Sequence, residues 1–319
     1  MKKILLLVIT VIVLFSFISC NKTGNYSEGS IEEPVSSVEN SLGTLKIYDR
    51  AGNEIEVPKN INRIISMAPS TTEILLDLGL GNKLVAIDHN AKGIKGLKEG
   101  ILQFDMMAPD IEKMANLKPD LVFTSGMSNL DGKAEPYKPL KALGVCVADI
   151  PTSSSIEDIR EDIIFIANLT QTTEKGSEIV ESLDSEIDKI ALIGRNIKEK
   201  KTVYFEIAAA PHMYSFGSGV FLNEIIEFIG ATNVFSDKES WISVNDEAIV
   251  STNPDVILTN VNYIEEPVNE IKSRKGWENI KAVKNNEVYY IDNNASSLPN
   301  HNIVKAMKEI AKAVYPDKY

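Results

Sequence analysis

Positive charge and cysteine are both scarce in this sequence of 319 residues. Lysine and arginine total 33 against 45 aspartates and glutamates, so the formal net charge is −12. Because nucleic-acid binding needs a cationic patch that releases counterions, this balance argues against a nucleic-acid partner. The sequence also has no Gly-rich phosphate loop, no zinc-protease histidine pair and no spacing of a nucleophile elbow. We therefore expect no enzymatic activity.

A long uncharged apolar run occurs only at the N-terminus. Two lysines precede the run over residues 4–17, which is short for a membrane span of about 20 residues and suits a signal peptide. The following Phe-Ile-Ser-Cys resembles a bacterial lipobox, with Phe17 in place of the usual Leu. We predict a lipoprotein signal peptide over residues 1–19, lipidation of Cys20 and an exported, lipid-anchored protein. The alternative is a secreted protein in which Cys20 is incidental.

With Cys20 lipidated, the mature chain keeps a single thiol. Cys146 is the other of the 2 cysteines, so no intrachain disulfide can form. It lies within the apolar stretch Gly-Val-Cys-Val-Ala, and we predict a buried strand residue there and no nucleophile.

The rest of the chain alternates between two kinds of apolar pattern. Residues 20–43 are polar without a period and predict a flexible tether, and a Gly/Asn turn between residues 45–48 and 54–57 predicts a β-hairpin. From Arg63 onward, short apolar strands alternate with amphipathic helices, which indicates mostly parallel sheets covered by helices. The predicted strands are residues 63–67, 84–87, 121–124 and 145–150, then 203–208, 256–259 and 288–291.

One long charged segment, residues 172–196, separates these two groups of strands. Its apolar side chains recur with a helical period at Ile179, Leu183, Ile187, Ile190 and Ile193. This pattern predicts one helix with a single face to bury. We therefore predict an N-terminal lobe over residues 44–170, a connecting helix over residues 171–197 and a C-terminal lobe over residues 198–319.

The two predicted lobes repeat each other. Glu-Ile-Leu-Leu-Asp-Leu-Gly at residues 73–79 matches Glu-Ile-Ile-Glu-Phe-Ile-Gly at residues 224–230, each a helix closed by glycine. Glu112 precedes Pro-Asp-Leu-Val-Phe by seven residues, and Glu247 precedes Pro-Asp-Val-Ile-Leu by the same seven. An acid at the start of a helix complements its dipole, but the symmetric placement favours a docking role. A pseudo-twofold protein with a central cleft follows.

The start of the first repeated helix carries a polar signature. Ser-Thr-Thr-Glu at residues 70–73 predicts a capping box, in which Ser70 caps a free N–H and Glu73 reaches back. Its role is mainly structural, although such a helix start could also face an anionic group of a ligand.

Ligands of open parallel sheets bind beyond the carboxyl ends of the strands. All three histidines, His89, His212 and His301, fall on such segments, and neutral imidazole is a common ligand of borderline metals. We therefore consider a site in which the three contact a metal or a metal chelate. The alternative is that each is a solvated loop residue.

Methionines accompany the histidines at these strand ends. Their thioethers suit a flat apolar ligand, a macrocycle edge or a soft metal, and the alternative is that they fill gaps under loops. None of the five arginines falls on a predicted post-strand segment, which disfavours a strongly anionic catecholate or citrate complex. Neutral chelates, corrinoids, haem and weakly complexed metals remain open. The methionines near the strand ends are Met67, Met106, Met107, Met127 and Met213.

Six motifs in order carry a family resemblance. They are Asp-Arg-Ala-Gly with Val-Pro at 49–58, Arg-Ile-Ile-Ser-Met-Ala-Pro-Ser-Thr-Thr-Glu-Ile-Leu-Leu-Asp-Leu-Gly at 63–79, Met-Ala-Pro-Asp-Ile-Glu at 107–112, Leu-Lys-Pro-Asp-Leu-Val at 117–122, Asn-Pro-Asp-Val-Ile at 253–257 and Ala-Val-Lys-Asn-Asn-Glu-Val at 282–288. Over residues 45–316 the chain resembles the periplasmic-binding (solute-binding) protein family of iron-siderophore, haem and vitamin B12 ABC importers.

The resemblance implies a class III periplasmic-binding fold: an α/β protein of two lobes, each a mostly parallel sheet covered by helices, joined by a single long backbone helix. It implies a monomer without an intrinsic cofactor. Glu112 and Glu247 match the family glutamates that form salt bridges with arginines of the two permease subunits. The sequence departs from many ferric-catecholate binders in lacking cleft arginines and in having Asp105 where Gly is frequent. The implied ligand-binding residues are Met67, His89, Phe104, Met107, Met127, His212, Met213, Tyr263 and His301.

From these observations we predict the substrate-binding lipoprotein of an ABC importer. It would capture a metal-containing solute, such as a ferric siderophore, a corrinoid or haem, and deliver it to the permease and its ATPase. One alternative is a binder of bare or weakly complexed nickel-, cobalt- or iron-type metal through the three histidines. Another is a surface adhesin, a sensor or an enzyme on the same fold.

Overall fold

A computed structural model describes residues 44–129 and 136–319 of the chain. The predicted signal peptide, the tether and Cys20 lie outside these residues. The described strands are β1 Thr44–Tyr48, β2 Glu54–Pro58, β3 Ile64–Ser66, β4 Leu84–Asp88, β5 Leu102–Phe104, β6 Leu121–Ser125, β7 Cys146–Ile150, β8 Thr202–Glu206, β9 Tyr214–Phe216, β10 Thr232–Asn233, β11 Trp241–Ser243, β12 Val256–Thr259 and β13 Val288–Tyr290.

Helices lie between most of these strands. They are α1 Pro69–Asp77, α2 Ile111–Asn116, α3 Lys138–Ala142, α4 Ile156–Leu169, α5 Thr173–Gly194, α6 Phe221–Phe228, α7 Asp246–Thr252, α8 Pro267–Lys272, α9 Lys281–Lys284, α10 Asn293–Ser297 and α11 Ile303–Val314. Within the described part of the chain, no helix is long and apolar enough to cross a membrane.

Two parallel sheets form the framework, as the alternation of strands and helices predicts. The first has the strand order β5-β4-β3-β6-β7 and the second the order β10-β8-β12-β13, with parallel neighbours throughout. The predicted hairpin is confirmed, because β1 pairs antiparallel with β2. Short strands absent from the sequence prediction are β5 at the edge of the first sheet, β10 at the edge of the second, and the separate pair of β9 and β11.

Both faces of each sheet are buried, which is why the strands are almost continuously apolar. In β3, Ile64 belongs to a core cluster that extends through α4, α5 and α11, whereas Ile65 belongs to a second cluster on the opposite face. In β8, Val203 and Tyr204 divide between the large cluster and a third one in the same way. The large cluster therefore joins the inner faces of the two sheets.

Helix α5 connects the two halves, close to the predicted bounds, and packs closely at both ends. A Cβ on Gly176 would lie 2.3 Å from the Cβ of Ala167 in α4. A Cβ on Gly194 would lie 2.0 Å from the carbonyl oxygen of Phe228 in α6. Each distance is shorter than van der Waals contact, so only glycine permits these approaches.

The predicted internal repeat has a structural basis. Gly79 and Gly230, which follow the repeated helices α1 and α6, both have φ of +82°, a value that glycine adopts without steric cost. Asp120 Oδ2 accepts the backbone N–H of Arg63 at 2.9 Å, and Asp255 Oδ2 accepts the N–H of Thr202 at 2.9 Å. In each sheet, the aspartate before one strand thus holds the beginning of the neighbouring strand.

The predicted capping box at residues 70–73 is wrong. Helix α1 begins at Pro69 with Ala68 as its N-cap and has no side-chain cap. Proline has a fixed φ and no N–H, so it suits the first helical position and begins the helix before Ser70. Glu73 instead accepts hydrogen bonds from Asn300 at 2.8 Å and from Asn302 at 2.9 Å.

Cys146 is buried in β7, as predicted. It is 4% exposed, and burial raises its thiol pKa to about 12. The thiolate is therefore almost absent at neutral pH, which agrees with a packing role.

Candidate functional site

A cavity of about 120 Å³ lies at the carboxyl ends of the first sheet. One wall consists of the loops that follow β3, β6 and β7, and the opposite wall is a segment that follows β13 and α10 of the second sheet. The cavity is therefore shared by both halves of the molecule. Its lining residues are Ala68, Pro69, Ser70, Thr71, Ile74, Met106, Ser125, Met127, Ile150, Pro151, Thr152, Ser153, Asp162, Ile166, Ser297, Leu298 and Pro299.

Hydroxyl groups dominate the polar part of this lining. Thr71 is 2% exposed and Ser125 is 8% exposed. Ser125 Oγ accepts a long hydrogen bond of 3.3 Å from the backbone N–H of Met127. No lysine or arginine is among the described residues that line the cavity, so the donors that these residues supply are neutral groups.

Asp162 is the acidic side chain of the cavity wall, and both of its oxygens have partners. Arg50 Nε donates to Oδ1 at 2.6 Å, and the Ser153 hydroxyl donates to Oδ2 at 2.7 Å. Burial raises the pKa of Asp162, while Arg50 and Ser153 oppose that rise. The carboxylate is thus held by the hairpin arginine and leaves no lone charge in the cavity.

The carboxyl end of β8, in the second sheet, carries a buried ion pair. Arg274 donates to both carboxylate oxygens of Glu206, at 2.6 and 2.9 Å, and the two side chains are 8% and 1% exposed. Arg274 also pairs with Glu270 and stacks 4.6 Å from the ring centroid of Trp277. Burial raises the pKa of Glu206, and Arg274 opposes that rise.

This ion pair is a contact that the sequence did not predict. Arg274 follows α8 and is not in a post-strand segment, yet its guanidinium reaches the strand end where Glu206 lies. The sequence separates the two by 68 residues, so nothing local indicates their contact. Glu270, one helical turn before Arg274, is the only local signal, as an i,i+4 pair.

The structure places the predicted ligand residues in three different environments. Met127 lines the cavity and is 45% exposed. Met67, Phe104 and Met213 are buried and belong to the core clusters that pack against the two sheets. The exposed ones beyond the strand ends are His89, Met107, His212 and Tyr263.

Tyr263 is exposed as a ring but fixed at its hydroxyl. The ring is 66% exposed, while the backbone N–H of Ala209 donates to the phenolic oxygen at 2.8 Å. This hydrogen bond ties the loop after β12 to the loop after β8 and holds the ring in place as a wall of the second half.

The structure places the three histidines in different surroundings. His301 Nε2 lies 2.6 Å from Asp77 Oδ2, at the end of α1, and its ring borders a different groove, between α1, α5 and α11. His89 and His212 are both exposed. Over residues 44–129 and 136–319, no group of three His, Cys, Asp or Glu side chains is arranged to hold a metal ion. His301 points away from the cavity because Asn300 and Asn302, on either side of it, bind Glu73.

The paired glutamates occupy equivalent positions. Glu112 is the second residue of α2, which is capped by Asp110, and Glu247 is the second residue of α7, which is capped by Asn245. Both are exposed. Each half therefore presents one free carboxylate at the start of a short helix.

The fold and the cleft together define a solute-binding protein of an ABC importer. A family model for the periplasmic binding protein matches residues 64–295, and the chain belongs to this family. Its members are transport proteins that bind a substrate, and they are not enzymes.

Individual relatives agree with this assignment. The chain is 30% identical over 275 residues to the uncharacterized ABC transporter substrate-binding lipoprotein YvrC of Bacillus subtilis (strain 168), with 86% of each chain covered. A vitamin B12-binding protein of Vibrio parahaemolyticus is 24% identical, with 79% of this chain and 89% of the relative covered.

A solved structure is similar over most of the chain. It is a possible iron-binding (periplasmic solute-binding) protein of Staphylococcus epidermidis, with a TM-score of 0.71 and 31% identity. The match covers 80% of this chain and 99% of that one. Other curated relatives carry the names of Fe(3+)-citrate-binding and molybdate-binding proteins, at 22% and 23% identity. The ligand names thus vary across the family while the two-lobed fold persists.

Proposed function

We propose that this protein captures a metal-containing solute, such as a ferric siderophore, a corrinoid or haem, between its two lobes and delivers it to an ABC permease. The observation that carries the proposal is the set of exposed soft and aromatic side chains beyond the strand ends. Met107 is 54% exposed, Met127 45% and Tyr263 66%. Thioethers and aromatic rings make favourable contacts when they cover a flat, largely apolar complex. Binding of such a complex would therefore explain why these side chains are exposed in the free protein.

The names of the relatives support the same class of cargo. Proteins named for vitamin B12 and for Fe(3+)-citrate are among them, and both ligands hold a metal within an organic complex. No resident cofactor is part of the proposal, and the protein acts as a monomer.

Binding is tested by titrating the full chain, purified in detergent, with cyanocobalamin, haemin and a neutral ferric trihydroxamate. Quenching of the fluorescence of the 2 tryptophans reports binding. We expect one of these complexes to bind with micromolar or tighter affinity. Nickel chloride serves as the bare-metal probe, and binding of Ni²⁺ alone would contradict the proposal.

A variant in the cavity and a matched variant on the surface test whether the metal complex binds in the cleft. Met127→Lys introduces a charge into the cavity lining and should weaken the bound complex at least about tenfold, which corresponds to about 1.4 kcal/mol. Leu192→Lys changes another exposed apolar side chain, on α5, and should leave the affinity unchanged. Equal effects of the two substitutions would argue against a ligand in the cleft.

Glu112 and Glu247 are proposed to dock the two permease subunits through arginine contacts. Replacing both with Ala should leave cargo affinity unchanged, because neither lines the cavity, but should lower uptake by cells that depend on this protein. The matched control is Glu178→Ala together with Glu265→Ala, two other exposed glutamates. Normal uptake with the Glu112 and Glu247 double variant would refute the docking role.

Anchoring is proposed to occur through lipid on Cys20 after removal of residues 1–19. Mass spectrometry of the protein from bacterial membranes should find a diacylglycerol-modified Cys20 at the N-terminus. Cys20→Ser should release the protein from membranes. An unmodified Cys20 in the membrane-extracted protein would favour a secreted form.

A further inference from the structure

The first turn of α1 has donors without acceptors. Ala68 has no side chain that could cap the helix, and Pro69 has no N–H. Thr72 N–H donates to the carbonyl oxygen of Ala68, but the N–H groups of Ser70 and Thr71 have no acceptor among residues 44–129 and 136–319. Both residues line the cavity. Two backbone donors and the positive end of the helix dipole are therefore directed at this space.

The side chain of Thr71 is a second and independent sign of a ligand. It is 2% exposed, it lines the cavity, and its hydroxyl has no hydrogen-bond partner within the part of the chain that the structure describes. The next residue, Thr72, shows the contrast, because its hydroxyl donates to Ser66 and Ala68. A bound group would give this hydroxyl the hydrogen bond that the described protein does not supply.

The size of the cavity limits what this position can hold. A volume of about 120 Å³ equals a few water molecules at about 30 Å³ each. It is large enough for a carboxylate or a tetrahedral oxyanion, which could be one group of a larger cargo. Asp162, the acidic side chain among the described residues of the lining, accepts hydrogen bonds on both oxygens from Arg50 and Ser153. Its charge is therefore partly compensated, although Arg50 also pairs with Glu161.

We infer that the start of α1, with Ser70 N–H, Thr71 N–H and the Thr71 hydroxyl, binds an anionic oxygen group of the cargo. The group is a carboxylate or a tetrahedral oxyanion. This inference rests on the proposed function and names the chemistry of its ligand. It replaces the expectation that a cleft poor in arginine takes neutral cargo, because the donors here are backbone groups and a hydroxyl.

The test compares two substitutions of Thr71. Thr71→Val keeps the shape and removes the hydroxyl, and Thr71→Ser keeps the hydroxyl. Neither should disturb folding, because the hydroxyl makes no hydrogen bond in the described protein. Thr252→Val, which removes a hydroxyl on α7 that donates to Ile249, is the matched control.

The probes are orthophosphate, molybdate and citrate, measured by titration calorimetry on the full chain in detergent. We expect the wild type to bind at least one of them, Thr71→Val to bind it about tenfold more weakly, and Thr71→Ser to stay within about threefold. Binding of phosphate or molybdate identifies a tetrahedral oxyanion, and binding of citrate alone identifies a carboxylate. Equal affinity of Thr71→Val and the wild type would overturn the inference.

Haemin and its dimethyl ester separate this inference from the proposed function. If haemin binds and its ester binds equally well in wild type and Thr71→Val, the inference fails and the proposed function stands. If an oxyanion binds in a Thr71-dependent way while no metal complex binds, the inference stands and the proposed cargo is wrong. Failure of every oxyanion probe alongside binding of a neutral ferric complex also overturns the inference.

Discussion

The two halves of the molecule share a scaffold but differ at the cleft. Asp120 and Asp255 hold equivalent strands, and Gly79 and Gly230 end equivalent helices. At the strand ends, however, the first half presents neutral hydroxyls and free backbone donors, whereas the second half has a buried ion pair whose groups are all engaged. The scaffold repeats because the strand and helix geometry demands it, and the strand ends diverge where we propose that the ligand binds.

This difference distinguishes polar groups that stabilise the fold from polar groups that are available to a ligand. Arg274 has an acceptor for its guanidinium nitrogens in Glu206 and Glu270, and it therefore stabilises the loop region without needing cargo. Thr71 lacks such a partner. A polar group whose hydrogen bonds are all made within the protein serves the structure, whereas the unpaired hydroxyl of Thr71 at the cavity is available to a ligand.

The largest expected effect comes from breaking the ion pair of the second half. Arg274→Ala leaves the carboxylate of Glu206, 1% exposed, without its partner and should lower the free energy of unfolding by about 3–5 kcal/mol. Arg160→Ala removes a partly exposed pair with Glu157 and Asp184 and should cost about 1 kcal/mol or less. Urea denaturation measures both. Similar losses for the two variants would show that the buried pair has no special role.

Equivalent glycines should respond unequally to the same substitution. Gly79→Ala places a Cβ in open space and should cost about 1–2 kcal/mol for its positive φ alone. In Gly230→Ala, the Cβ would lie 2.5 Å from the carbonyl oxygen of Gly194. The combined cost of the positive φ and this clash should lower the free energy of unfolding by roughly 3 kcal/mol. Thermal unfolding of the two variants compares them. Equal losses would contradict the close packing of α5 on α6.

Equivalent aspartates, in contrast, should respond alike. Asp120→Ala and Asp255→Ala each remove the acceptor of two strand-end donors, and each should cost about 1–2 kcal/mol at pH 7. Burial tends to raise the pKa of Asp255, but hydrogen bonds from Thr202 and the ion pair with Lys281 outweigh it, so its pKa is lowered. The ionised side chain therefore stabilises the fold above the ordinary aspartate pKa of about 3.9, and this contribution is lost as the pH falls through the lowered value.

Denaturation of wild type and Asp255→Ala between pH 7 and pH 2 measures this loss. The difference between the two proteins should be constant near neutrality and shrink in acid. A difference that grows in acid would contradict the assigned direction.

The sequence predicts the framework well because the framework depends on local patterns. The strands of both sheets, apart from the short edge strands, follow from apolar runs, and α5 follows from a helical period. Strands such as β9 and β11 have three residues each, and a segment that short has no recognisable period. The helix start at Pro69 was misjudged because Ser70 and Glu73 fit the pattern of a capping box.

The cleft was harder to predict because its contacts are non-local. Glu206 meets Arg274 across 68 residues, and His301 meets Asp77 across 224. The position of His301 at a strand end gave no sign that its neighbours would hold it at the outer end of α1. Met127, in contrast, follows its strand closely and lines the cavity.

The glycine contacts of α5 limit how the cleft can move. Gly176 locks one end of the helix to α4, and Gly194 locks the other end to α6, about 27 Å apart at 1.5 Å per residue. Helix α5 cannot slide along either neighbour. We therefore expect the two lobes to tilt relative to each other only by slight bending of α5. We therefore expect the cleft to open little by itself and a transporter that contacts both lobes to widen it for release.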